Sequence, residues 1–400
     1  MQMKVVTHKY GGSSVATTEK IKGVAEKISL RVKDGYKLIV VVSAMGKTTD
    51  GLIKLAKEIT EYPSLREMDM LLTTGEQVSA SLLSIALTSM GLKSISLNGY
   101  QAGIITMGNF SEARIKNFDK DKIQNLLKSN DVIVITGFQG INEEGELTTL
   151  GRGGSDTSAV ALAAALGITC EIYSDVAGIF TVDPKLHPNA KKIKYITYDE
   201  MLELASLGAK VLHSRSVEIA KKFGIKIYCG STFSNEEGSY VVDENDIIEQ
   251  PVVTGMSVMD NETQVTINNL PVDFKLVKNL FEKIAVAGLN VDMISIINYE
   301  NNLSVSFTII EDKKRELDKT LNKVLKELEG WKIEYAAGYV KLSTVGIGMK
   351  SSVGVASRFF KALQDIPIKL VTTSEIRISC LIEAEYKEEA VKAIVKEFEL

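Results

Sequence analysis

Two basic residues beside glycine-rich turns, Lys9 and Arg152, are the groups in this chain best suited to handle an anion. Lys9-Tyr10-Gly11-Gly12-Ser13-Ser14 follows a β-branched run and sets a lysine against paired glycines. By itself the glycine pair is as readily a plain strand-to-helix turn as a binding loop. Leu150-Gly151-Arg152-Gly153-Gly154-Ser155-Asp156-Thr157-Ser158 is sharper, a glycine-rich turn that feeds an alanine-rich helix. Glycines admit a ligand close to the backbone, a helix amino terminus offers free amides and partial positive charge, and Arg152 adds a planar fork for a carboxylate or phosphate. Asp156 has two readings: with Ser155 it caps the helix, or it orients nearby lysines while Arg152 takes the anion. Lys9 is then a candidate for stabilising charge that develops on a transferred phosphoryl group. Thr74-Gly75-Glu76 opens a further helix, where Glu76 either favours the helix dipole or holds a substrate ammonium. Ser174-Asp175-Val176-Ala177-Gly178-Ile179-Phe180, followed by Asp183-Pro184-Lys185, is either a surface turn or a ligand-facing extension after a strand.

Val40-Val41-Val42-Ser43-Ala44-Met45-Gly46-Lys47-Thr48-Thr49-Asp50 also invites a phosphate reading. A P-loop needs a second glycine five positions before Gly46, and Val41 stands there inside a strand pattern. The P-loop is therefore rejected, and Lys47 reads as a solvated loop lysine.

The elements that position these groups alternate. Up to about residue 250, short β-branched runs (Lys4-Tyr10, Lys37-Ala44, Lys93-Leu97, Asp131-Gly137, Cys170-Asp175, Lys226-Cys229) are separated by amphipathic windows. Those windows are Thr17-Val32, Gln77-Met90, Asp121-Leu127, Thr157-Leu166, Tyr198-Leu207 and Ser216-Phe223. The pattern predicts an α/β fold with a mostly parallel central sheet and helices on both faces. Gly91, Gly167 and Gly224 read as helix stops, and Thr197 with Glu200 as a capping box. Ligands in such sheets gather at the strands' carboxyl ends, where every glycine-rich segment above falls.

After Pro251 the glycine-rich loops stop. Residues 261–340 read as a β-α-β-β-α-β unit, and residues 341–400 as a second unit one strand short. The strand candidate Val252-Val258 supplies that missing edge, so the first unit is inserted within the second, which comprises 251–260 plus 341–400.

Bulk composition excludes several classes. With 400 residues, 45% hydrophobic and 24% charged, the chain has material for two or three packed domains. Its net charge of -4 offers no basic surface for nucleic acid. Residues 1–14 lack the apolar core of a signal peptide, and apolar runs such as Leu38-Val42 fall short of a membrane span, so no membrane partner is expected and the chain reads as cytoplasmic. Cys170, Cys229 and Cys380 are odd in number and far apart, pointing to buried reduced thiols. His8, His187 and His213 share no ligand spacing, so no protein-bound metal is expected.

Taken in order, "KYGGSSV", "VVSAMGKTTD", "TGEQVSASLL", "GRGGSDTSAVALAAAL", "YSDVAGIFTVDPK" and "EMLELASLGAKVLHSRSVEIA" resemble the successive signatures of aspartate kinases. These belong to the amino acid kinase superfamily and carry paired C-terminal ACT domains, so the two units after residue 250 are expected to be ferredoxin-like ACT units. The resemblance implies transfer of the γ-phosphoryl group of ATP, with Mg2+ carried on the phosphates, to the β-carboxylate of L-aspartate. That is the entry to lysine, threonine, methionine and diaminopimelate synthesis. It implies Lys9 and Asp156 as the catalytic pair. Ser43, Thr49, Glu76, Phe138, Arg152 and Ser155 would bind aspartate, with Arg152 on the α-carboxylate and Glu76 on the α-ammonium. Lys9, Gly11, Gly12, Ser13, Tyr173, Ser174, Asp175, Phe180, Lys185 and Lys210 would bind ATP. An amino-acid effector, lysine first and threonine second, would meet Asp273, Asp292, Ser295, Ser374 and Glu375, and the ACT units would join the chain into a homodimer or homotetramer.

The chain departs from the family pattern at Ser214, where proline is usual, at Cys229-Gly230, where Val-Arg is common, and in Pro271-Val272-Asp273-Phe274-Lys275-Leu276-Val277. The last departure puts the effector's identity in doubt. Two competing readings are a superfamily kinase for another acidic substrate and a silent ACT amino-acid sensor. The intact set Lys9, Glu76, Arg152 and Asp156 argues against the sensor.

Overall fold

Along β1 (Lys4–Tyr10), Val6, His8 and Tyr10 point to one face of a sheet and Thr7 and Lys9 to the other, the two-residue period of a strand buried on both sides. This strand is central to the first of two units in the computed structural model, which describes residues 4–209, 211–249, 251–326 and 328–400. The first unit runs to Phe180 and resumes over Lys192–Glu249; the second takes Thr181–Lys191 with Gln250–Leu400. The short excursion was not foreseen, because nothing in its composition differs from a surface turn.

The first unit continues with α1 (Thr18–Lys33), β2 (Tyr36–Val42), α2 (Thr48–Ile59), α3 (Leu65–Ser89) and β3 (Ser94–Leu97). Next come β4 (Ile104–Met107), β5 (Arg114–Phe118), α4 (Lys120–Ser129), β6 (Val132–Thr136), β7 (Gln139–Ile141), β8 (Leu147–Thr149), α5 (Gly154–Leu166) and β9 (Cys170–Ser174). It closes with β10 (Ile179–Phe180), β11 (Lys192–Ile193), β12 (Tyr195–Thr197), α6 (Tyr198–Ser206), α7 (Ser214–Phe223), β13 (Ile227–Ser231) and β14 (Ser239–Val242). Among the described residues, eight strands form the central sheet in the order β12-β14-β13-β9-β1-β2-β6-β3, parallel except for the β13-β14 pair. Val6 and Tyr10 of β1, with Leu38, Val40 and Val42 of β2, pack under α1 and α3. Lys9, on the opposite side, meets α5.

The six expected strands and the glycine helix stops are present, as is the Thr197–Glu200 capping box. Two helix starts differ. α3 begins at Leu65, twelve residues before the expected start at Gln77, so Thr74-Gly75-Glu76 lies inside the helix instead of opening it. Gly75 is there for proximity: a β-carbon on it would stand 2.9 Å from Ala44 Cβ. α5 begins at Gly154, not Thr157. α2 and the small sheet β5-β4-β7-β8 were not expected. α3 is long and apolar enough to cross a bilayer, but its inner face carries Asp69 and Glu76, both buried against the sheet and the neighbouring strands. All three cysteines are buried free thiols.

The second unit contains β15 (Gly255–Leu270), α8 (Phe274–Val286), β16 (Asp292–Asn298), β17 (Leu303–Ile310) and α9 (Lys314–Val324). It ends with β18 (Lys332–Val345), α10 (Val355–Ala362), β19 (Ile368–Thr373), β20 (Arg377–Glu383) and α11 (Lys387–Phe398). Its sheet order is β16-β17-β15-β18-β20-β19. The separate strands expected at Val252-Val258 and Gln264-Asn268 are joined in β15, and those at Ile333-Val340 and Leu342-Gly348 in β18. Each long strand serves two cores. Val265 and Ile267 pack with Leu280 and Leu317 under α8 and α9, whereas Met256 and Leu342 pack with Phe359 and Ile394 under α10 and α11.

Candidate active site

Tyr10, Val42, Thr136 and Tyr173 are register neighbours, so β1, β2, β6 and β9 end together and their following loops share one edge. Lys9 Nζ lies 2.6 Å from Asp156 Oδ1, and the two side chains are only 12% and 13% exposed. Asp156 sits in the first turn of α5, whose cap is Gly153 in the left-handed region (φ 68°) with no side-chain capping bond. The capping reading of Ser155 and Asp156 is thus set aside. Nothing larger than glycine fits at 153, since a β-carbon there would be 2.1 Å from His213 Cγ. The turn before it is held by Arg215, whose guanidinium donates to the carbonyls of Leu150 and Ala113.

The glycine pair after Lys9 packs against the loop after β2. The Gly46 amide donates to the Gly12 carbonyl at 3.0 Å, and a β-carbon on Gly12 would stand 2.8 Å from the Ala44 carbonyl oxygen. The Gly11 amide donates to the Tyr173 carbonyl, and a β-carbon on Gly11 would meet Lys9 Nζ at 3.5 Å. Ser13 gives its carbonyl to Lys20 Nζ at 2.8 Å. The closely packed glycine loop, the lysine and the amino terminus of α5 come together at this edge, and the helix terminus is a feature of the kind that takes phosphate oxygens.

Across this edge stands Glu76, 3% exposed on the inner face of α3. Its Oε1 accepts from the Ala44 amide at 3.1 Å, while Oε2 is buried with no hydrogen-bond partner among the described residues. Burial pushes its pKa up to about 7, against the pull of backbone amides that include Ala44. Ser43, half-buried, is fixed by its carbonyl, which accepts from Ser79 Oγ at 2.7 Å. Phe138 holds a left-handed backbone (φ 69°), donates its amide to Ser158 Oγ, and packs its ring with Met68 and Leu72. Ser155 is buried against Gly137. Thr49 lies half-buried in the first turn of α2, whose neighbouring Thr48 approaches Gly75 of α3, and Arg152 is exposed at the tip of its turn. Lys47 is exposed, as a loop lysine should be.

The remaining nucleotide candidates divide. Ser174 ends β9 and, through its carbonyl, takes the Thr232 amide; Asp175 is exposed in the next turn and Phe180 is half-buried in β10. Tyr173 presents its carbonyl to this edge, but its ring is stacked on Tyr10 (5.3 Å between centroids) on the far side of the sheet. Lys185 is exposed within the excursion that belongs to the second unit, and Lys210 lies outside the described residues.

Beneath Lys9, on that far side, the Glu171 carboxylate gathers Arg31 at 2.7 Å, His8 Nε2 at 3.1 Å and the Tyr173 hydroxyl at 2.5 Å. Burial works to raise the Glu171 pKa, but these partners outweigh it and hold it at about 2; burial keeps His8 below its usual value and neutral. The network fixes β1 to β9 and to α1. Glu171, Arg215, His213 and Asp69 are supports that no spacing argument singled out. Asp69 accepts from the amide and hydroxyl of both Ser111 and Thr149. The partners of Asp69 lie 42 and 80 residues away, so only folding brings them together.

In the second unit, Asp273 caps α8 through the Lys275 amide. Asp292 pairs with Lys341 at 2.6 Å, and Ser295 is half-buried on the same strand. Ser374 and Glu375 are exposed in the turn between β19 and β20.

Residues 4–231 match the Amino acid kinase family, and residues 342–398 match the ACT domain. An aspartokinase of Geobacillus stearothermophilus is 47% identical over 403 residues, covering 100% of this chain and 98% of its own. The chain belongs to the aspartokinase family. Aspartokinase 2 of Bacillus subtilis is 42% identical, covering 100% of this chain and 98% of the relative. E. coli aspartokinase III, solved with aspartate and ADP, shares the fold with a TM-score of 0.83 at 22% identity, covering 99% of this chain and 100% of that one. Against the aspartokinase pattern, the two departures in the first unit are structurally mild. Ser214 is the first residue of α7, the one helical position that suits proline, so serine there forfeits only a preset backbone angle. Gly230 faces Tyr228, where a β-carbon would come within 2.7 Å of the ring.

Proposed function

We propose that this aspartokinase-family enzyme transfers the γ-phosphoryl group of ATP to the β-carboxylate of L-aspartate. The observation that carries the reading is the Lys9–Asp156 pair at the amino terminus of α5. A carboxylate oxygen attacks the γ-phosphorus, the bond to the β,γ-bridging oxygen breaks, and ADP leaves with that electron pair. The nucleophile is ionised at neutral pH, with a reference pKa of about 4, so no base is required. Asp156 is engaged with Lys9 and therefore aims the ammonium instead of removing a proton. The barrier is charge: an anion must approach a polyanion, and Lys9 and the α5 terminus offset it, with the Gly11-Gly12 turn letting the phosphates approach the backbone closely. Mg2+ carried on the nucleotide's phosphates would neutralise part of that charge. Glu76 takes the α-ammonium, Arg152 the α-carboxylate, and Ser43, Thr49, Phe138 and Ser155 complete the aspartate site. Ser174, Asp175 and Phe180 border the nucleotide, with Lys185 and Lys210 as further ATP ligands and Tyr173 contributing its carbonyl.

An amino-acid effector acting on the ACT region, lysine first and threonine second, inhibits the enzyme. Asp292 supports a cationic or zwitterionic effector, being a carboxylate that is still 40% exposed after pairing with Lys341. The apolar edge strand β16, with Ile294, Ile296 and Ile297 about half exposed and no lysine or proline to blunt it, supports pairing with a second copy in a homodimer or homotetramer. The product opens the route to lysine, threonine, methionine and diaminopimelate.

ADP release measured with aspartate, glutamate, acetylglutamate and UMP, with hydroxylamine trapping of the acyl phosphate, tests the activity. Turnover of UMP without turnover of aspartate would defeat the reading. Adding lysine, threonine and methionine separately to the same assay identifies the effector.

A further inference from the structure

Gln139 is fully buried at the start of β7, yet only one end of its carboxamide is bonded. Nε2 donates to the Thr73 carbonyl at 3.0 Å, and because a carbonyl can only accept, the NH2 end is pinned there and Oε1 must face away. Oε1 has no hydrogen-bond partner among the described residues. Thr73 lies one helical turn before Glu76 on the inner face of α3, so the Gln139 amide sits within a turn of the Glu76 carboxylate. The third atom is Thr136 Oγ1, on a residue 1% exposed and equally without a partner. Thr136 alternates with Val132 and Val134, which face α3, and it pairs with Val42, two residues before the Ala44 amide that holds Glu76 Oε1.

Orphaned buried polar atoms are rare, and three from α3, β6 and β7 on one side of the sheet call for a common ligand. When Glu76 is ionised, its Oε2 can only accept, as can Gln139 Oε1, and the Thr136 hydroxyl can accept as well. The complementary group is one that only donates, with three hydrogens tetrahedrally arranged: an ammonium. We propose that Gln139 and Thr136 complete, with Glu76, a three-acceptor set that reads the α-ammonium of the amino-acid substrate. This rests on the aspartate reading above and adds two specificity-determining residues to it. A neutral amide and a hydroxyl bind a cation without further net charge, so the set selects an α-amino acid over the corresponding plain dicarboxylate without repelling the carboxylate to be phosphorylated.

The test uses the full chain and two near-isosteric variants, Gln139→Met and Thr136→Val, in steady-state assays with ATP and aspartate and with succinate as a competitor lacking the ammonium. Gln139→Met is expected to raise KM for aspartate about tenfold and Thr136→Val about threefold, the loss falling on KM far more than on kcat. KM for ATP and the inhibition constant of succinate should stay within twofold of the parent values. The rise in melting temperature on adding aspartate should shrink in both variants, an outcome that does not depend on turnover. Aspartate KM within twofold of the parent in both variants overturns the inference, and so does an equal loss of ATP affinity, which marks Gln139 as a general structural support. If the parent fails to turn over aspartate, the underlying reading fails instead.

Discussion

At the residue scale, Lys9 and Glu76 are both nearly buried, and the proposed mechanism assigns them to different stages of the reaction. Lys9→Ala removes charge stabilisation that grows in the transition state, so kcat should fall roughly 100- to 1,000-fold with little change in KM for aspartate. A variant with unaltered kcat would take the charge role away from Lys9. Glu76→Gln keeps the shape but loses the anion, so its main effect should be a raised KM for aspartate. The pH profile separates the two. Because burial lifts Glu76 to about 7, lowering pH through neutrality protonates it and weakens ammonium binding; KM for aspartate should climb below pH 7 in the parent and stay flat in Glu76→Gln. Stability runs the opposite way. A carboxyl whose folded value, about 7, exceeds its unfolded 4.5 contributes stability that is present below 4.5 and lost as pH rises through 7. Without aspartate at pH 8, Glu76→Gln should therefore melt higher, by an amount corresponding to on the order of 3 kcal/mol.

At the scale of elements, the helix and strand pairings around Lys9 carry two expectations. Glu171 holds β9 to β1 and α1 through His8, Tyr173 and Arg31. Its depressed value means that its contribution is present above the unfolded 4.5 and lost as pH falls toward 2, so Glu171→Gln should flatten acid unfolding over that window and cost about 3 kcal/mol at neutral pH. Chemical denaturation at pH 7 and pH 3 measures both. Gly153→Ala places a β-carbon into the His213 ring on a left-handed backbone, and both stability and kcat should drop because Asp156 rides on the displaced turn. Strand positions were legible because continuous β-branched runs bounded by glycine specify buried parallel strands, and β1 has the expected bounds, Lys4 and Tyr10. α2 was missed because Gly46-Lys47-Thr48-Thr49 reads as a loop; packing of Leu52, Ile53 and Ala56 with Leu72 of α3 makes it a helix.

For the whole molecule, the second unit is organised around a buried cation at the junction of its two cores. Lys341, 3% exposed on β18, bridges Asp292 at 2.6 Å and Glu262 at 3.8 Å. Burial raises the Glu262 pKa; at Asp292, Lys341 and the Met293 amide outweigh burial and lower it. Lys341→Met leaves Glu262 without its cation, so the protein should lose about 3–5 kcal/mol. Melting curves report that loss, and under the proposed regulation the dose–response curve of the inhibiting amino acid should shift as well, because Asp292 loses its partner. A chain cut after residue 249 would strand Thr181–Lys191, whose Thr181 carbonyl accepts from Met256 and whose Val182 belongs to the core of the second unit. Such a truncation should be less soluble than one that also replaces 181–191 with a short polar linker, and sedimentation of the two compares them directly.

What the amino-acid order determined was local: the strand runs, the glycine turns at their carboxyl ends, the capping box, and through its motifs the family. Periodicity and turn chemistry act over a few residues, so they survive in a one-dimensional reading. Only the tertiary structure decided that Asp156 belongs to Lys9 instead of a helix cap, and that Gly75 lies inside a helix. It alone brings Glu76, Gln139 and Thr136 to one side of the sheet with acceptors to spare. These depend on contacts between segments tens of residues apart, where the free energy of burial and pairing overrides local preference.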